Sequence, residues 1–165
     1  MILGMISFTK VHVVISLIAI VSGFFVAFGL LTAKRFNGLT AFFLLTTVAT
    51  SVTGFFFPFH GFTPAIGVGI VSLVVLAVAI FAQYGRRLTG PWRWIYVVTA
   101  MIALYLNVFV LIVQLFQKVP ALKALAPTQS EPPFQIAQLV TLALFVVLTI
   151  LAVRRFRPEV VSGER

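Results

Sequence analysis

The chain has no cysteine and no aspartate, and its only side-chain carboxylates are Glu131, Glu159 and Glu164. Without cysteine there is no disulfide, no thiolate nucleophile and no cysteine-held iron–sulfur cluster. Charge is scarce too, at 9% of residues against about 25% in a soluble domain. Histidine occurs only as His12 and His60. Two imidazoles without Cys or Asp fall short of the three or four ligands of a zinc site, so no metal site is assigned. They do suffice in number for a bis-histidine haem, if both face one large cavity. A Ser–His–acid hydrolase finds no acid near either histidine in sequence. The apolar blocks carry no ionisable residue at mid-length, which counts against proton- or sodium-driven transport.

What the chain does have is apolar residues, 61% of its 165 residues, with a mean hydropathy of +1.16. They fall in blocks of about 20, the length that crosses a bilayer as a helix. Five such blocks cover residues 9–32, 39–57, 65–84, 94–116 and 134–153. Spans must be helical, because unpaired backbone groups in lipid are too costly. The expected fold is therefore all-α, an integral membrane bundle of five transmembrane helices. Residues 1–157 form one domain and 158–165 a short cytoplasmic tail. The first block is too long for a signal-peptide core and is read as a retained span.

The net charge of +9 does not point to nucleic acid, because the basic residues sit at the ends of the apolar blocks. Lys34 and Arg35 follow the first block, Arg86, Arg87 and Arg93 lie between the third and fourth, and Arg154, Arg155, Arg157 and Arg165 follow the fifth. With five spans all nine share one side, against Lys10, Lys118 and Lys123 on the other. The positive-inside rule then places the N-terminus out and the C-terminus in. The partners this implies are membrane lipids, with a homo-oligomer or a larger membrane complex also open.

The outward turn TGFFFPFHGFTPA, residues 53–65, holds His60 among five phenylalanines and between Pro58 and Pro64. It reads either as an interfacial, wetted histidine or as a preorganised donor at the mouth of an outer pocket. In the fourth block Tyr96, Ala100, Ala103, Asn107, Val110, Gln114 and Gln117 recur at alternating spacings of four and three, on one helix face. His12 falls at the outer end of the first block and Gln135 and Gln138 at the outer end of the fifth. The Ser, Thr, Gly and Ala positions of these stripes read first as helix packing. The outer polar residues admit a second reading, a pocket lined by His12, His60, Asn107, Gln114 and Gln138. The long outer connection, residues 117–133, contains PALKAL, expected as a short surface helix.

TGFFFPFHGFTPA, PWRWIYVVTAMIALYLNVFVLIVQLF and APTQSEPPFQIAQ resemble segments of small multi-span bacterial inner-membrane proteins of uncharacterised activity. The likeness covers roughly residues 10–158 and implies only a bacterial inner-membrane location. Three classes of function follow from the residues. One is binding of a small apolar ligand (quinone, lipid or haem) in the outer half, with the cofactor itself unknown. Another is a structural or accessory subunit. The last is a small transporter or oligomeric channel. No catalytic residue is assigned.

Overall fold

The computed structural model describes residues 2–58 and 60–157; Phe59 and the tail with Glu159, Glu164 and Arg165 lie outside the described residues. Within them the chain is helical, with no strand. The helices are α1 (Ile2–Leu31), α2 (Asn37–Gly54), α3 (Pro64–Ile80, continued by a π-helical turn Phe81–Gly85), α4 (Trp92–Lys118), α5 (Pro120–Leu125) and α6 (Pro132–Arg155). Proline opens α3, α5 and α6, where its missing N–H costs nothing. Thr63 caps α3 by accepting from the Ile66 amide. The PALKAL segment is the short helix α5, as expected.

The helix limits differ from the apolar blocks by up to three residues, except at the start of α1. α1 starts seven residues early, because nothing between Ile2 and Thr9 breaks a helix and Lys10 does not interrupt it. Its 30 residues are about 45 Å long, more than a hydrocarbon core of about 30 Å requires. At the start of α6 Glu131 occupies the capping position, and its side chain bonds backward into the preceding loop.

Four helices have the length and apolar composition of a membrane span: Gly4–Leu31, Pro64–Gly85, Trp92–Lys118 and Pro132–Arg155. α2 falls short, since its 18 residues include five threonines and a serine. Large apolar side chains cover the outside of the bundle, including Phe25, Phe28, Leu45, Val74, Leu139 and Val140, all more than half exposed. A water-soluble surface of this kind would aggregate; in lipid it is the solvated face.

α4 is the central element, packed against α1, α3 and α6. Tyr96, Val97, Ala100, Met101, Ala103 and Leu104 are buried along it. Its predicted stripe thus becomes core toward one end and amides toward the other. α1 and α2 form an antiparallel pair in contact along its length. His12 meets Thr53, Gly23 meets Phe43, and Gly29 meets Phe36. A methyl group on Gly23 would lie 2.5 Å from Leu104 and 2.8 Å from Phe43, so any larger residue would force those side chains to shift. α2 and α3 are antiparallel by the same test, with Ser51 on Ser72 and Phe55 on Gly69. So are α4 and α6, joined by Phe116–Phe134, Tyr105–Phe145 and Arg93 on Val153.

Candidate functional site

The alternation of direction gives the bundle two chemically different ends. At one end lie the turn after α1, the loop from Arg86 to Arg93 and the end of α6. Arg93 ties the last two together, donating to the carbonyl of Val153 at 2.9 Å and to that of Phe156. The Arg86 guanidinium stacks over the Trp92 ring, 5.4 Å from its centroid. The opposite end holds both histidines, α5 and Glu131.

The five sequence-predicted ligand residues all lie in the half away from the arginines or near mid-length, but no hydrogen bond joins any two of them among the described residues. His12 Nδ1 is 2.7 Å from Thr53 Oγ1. The threonine hydroxyl already donates to the Ala49 carbonyl at 2.7 Å, so it accepts from the imidazole and the proton is on Nδ1. Phe57 stands edge-on to the His12 ring, with centroids 5.1 Å apart, and Phe8 packs on Phe57. His60 is exposed in the α2–α3 turn. Asn107 Nδ2 donates to Thr47 Oγ1 at 3.3 Å, joining α4 to α2, and Thr47 is fully buried. Gln114 is half-buried. Gln138 Nε2 donates to the Phe109 carbonyl at 3.2 Å, joining α6 to α4. Its Oε1 is buried without a partner. Turning the amide over would set oxygen against oxygen, so the orphan atom is the carbonyl; burying one costs roughly 1–3 kcal/mol. No three His or carboxylate side chains among the described residues come together to hold a metal.

In the α5–α6 loop, Glu131 accepts from the Thr128 hydroxyl at 2.8 Å and from the Thr128 and Ser130 amides, each at 3.1 Å. Desolvation pushes its carboxyl pKa up, and these hydrogen bonds outweigh that and hold it below its ordinary value.

Sequence reasoning missed a second polar locus, at the arginine-rich end. A small cavity of about 10 Å³ is lined there by Lys34, Arg35 and Asn37, by Thr40, Tyr96 and Gln83, and by apolar walls from α1 and Phe156. Gln83 is only 9% exposed, and its Oε1 is buried without a partner. Spacing does mark the residue: Gln83 follows Ser72, Leu76 and Ala79 at steps of four, three and four, and all four are buried. What spacing does not show is the cavity beside it. No protein-family model, curated protein or solved structure matches this chain.

Proposed function

We propose that this chain is a five-span protein of the bacterial cytoplasmic membrane, N-terminus outside and C-terminus inside, that works as a structural or accessory subunit. The full-length antiparallel contact of α1 and α2 supports the fifth span. From His12 to Gly29 the two helices run together for about 25 Å, so α2 keeps beside α1 over nearly its own whole length. The lower hydropathy of α2 fits a helix whose threonines are turned to other helices or to its own backbone. Thr47 meets Asn107, Thr53 meets His12, and Thr46 and Thr50 bond to carbonyls one turn back.

The subunit reading is carried by one observation: polar groups inside the spans bond from helix to helix. His12, Asn107 and Gln138, offered above as ligand residues, each have a partner on another helix. Such bonds fix the relative placement of helices in lipid, where there is little hydrophobic drive for association. The test is protein purified in mild detergent, with its mass measured, its oxidised and reduced visible spectra recorded, and its extract analysed for quinones. The expected result is a colourless protein of defined oligomeric mass or with a stoichiometric partner. A Soret band or a stoichiometric quinone, lost in His12→Ala, contradicts it.

That contrary result supports the second reading, a small apolar ligand in the outer half. Its specific motive is Gln138 Oε1, a buried acceptor that a ligand hydroxyl or amide would satisfy.

A further inference from the structure

The cavity at the arginine-rich end combines features that the packing of the bundle does not require. Gln83, nine-tenths buried in the π turn, lines it and has a carbonyl oxygen with no donor. The enclosed space, about 10 Å³, admits one water-sized group such as a hydroxyl. Lys34 and Arg35 stand exposed at its mouth, and no carboxylate is among its lining residues. Asn37, the first residue of α2, also lines it, and Phe36 supplies no side-chain cap to the α2 amides. Uncapped first-turn amides and two cations together form an anion site.

An inorganic anion alone does not meet these demands. A phosphodiester satisfies the cations and amides but has no proton for Gln83. A hydroxyl beside it does. We propose that this cavity binds the headgroup of an anionic phospholipid carrying a free hydroxyl, of which phosphatidylglycerol is the simplest. The phosphodiester sits at Lys34, Arg35 and the start of α2, and the headgroup hydroxyl donates to Gln83 Oε1. Lys34 and Arg35 follow directly on the apolar helix α1, at the end of a membrane-span candidate where lipid phosphates lie, which favours a lipid over a soluble phosphodiester. Phosphatidylethanolamine has the donor but is neutral overall, and its ammonium would meet two cations. The proposal does not depend on the subunit reading.

The test uses the whole protein in phosphatidylcholine nanodiscs doped with phosphatidylglycerol, phosphatidylethanolamine or phosphatidylmethanol, an anionic phosphodiester with no free hydroxyl. Lipid retained per chain is read by native mass spectrometry. Retention of phosphatidylglycerol above the other three is expected. In Lys34→Ala/Arg35→Ala its retention should fall by at least about tenfold. Gln83→Leu, a buried change of similar volume, should leave anionic lipid bound but abolish the preference over phosphatidylmethanol. Lys118→Ala/Lys123→Ala, the same charge change at the other end, should alter nothing. Equal retention of phosphatidylglycerol and phosphatidylmethanol by the unaltered protein overturns the proposal, as does an unchanged preference in Gln83→Leu. Thermal protection by free glycerophosphoglycerol equal to that by the lipid overturns the assignment to lipid.

Discussion

His12 shows how much a single residue's meaning depends on its neighbour. In the sequence it is one of two histidines and a candidate ligand; in the bundle its Nδ1–H is taken by Thr53. Thr53→Val keeps the shape and removes the acceptor. It should lower stability by about 1 kcal/mol, since interhelical hydrogen bonds in membranes average well under 2. Unfolding in mild detergent measures this, and a variant as stable as the parent would assign His12 no packing role. Glu131 supplies a pH-dependent prediction. Its carboxyl is held below the ordinary value by the Thr128 and Ser130 donors. A depressed carboxylate stabilises its surroundings above the unfolded-state pKa, and that stabilisation is lost as pH falls through the folded-state value. Hydrogen exchange at the Thr128 and Ser130 amides should therefore show protection at neutral pH that disappears in acid once intrinsic rates are allowed for. In Glu131→Gln that pH dependence should be absent.

Among the elements, the ends of helices were less legible than their existence. The apolar blocks marked each long helix, because length and hydropathy are additive along a chain. The end of α1 rests on geometry that no such sum detects. Ala33 adopts φ +57°, and the Lys34 amide returns to the Gly29 carbonyl at 2.8 Å, a left-handed cap that usually falls to glycine. Ala33→Gly should therefore stabilise the protein by roughly 1 kcal/mol, the cost of the left-handed conformation for an alanine. An unchanged or lower thermal midpoint would mean that the cap is not formed. The π turn at the end of α3 was equally hidden. Small-residue faces, by contrast, can be read directly: Gly23 follows His12, Ser16 and Ala19 at spacings of four, three and four, and it lies where Phe43 and Leu104 approach.

At the scale of the whole molecule, sequence gave depth but not neighbours. Charge at the ends of the blocks assigned His12, His60, Gln114, Gln117 and Gln138 to one half. It carried no information on which helices adjoin. Contacts between helices far apart in sequence decided that Asn107 meets Thr47 and Gln138 meets Phe109. The same contacts make α2 travel alongside α1, where composition alone leaves it the least apolar of the long helices. Whether α2 crosses the membrane is thus the point on which the five-span account rests. The cysteine-free chain allows a direct measurement. Single cysteines at Asn37, Phe62, Arg87 and Gln129 would be labelled in intact spheroplasts with a membrane-impermeant maleimide, before and after permeabilisation. The account predicts that Phe62→Cys and Gln129→Cys react from outside, while Asn37→Cys and Arg87→Cys react only after permeabilisation. Labelling of Asn37→Cys and Phe62→Cys from the same side would contradict it, because α2 would then enter and leave on one face.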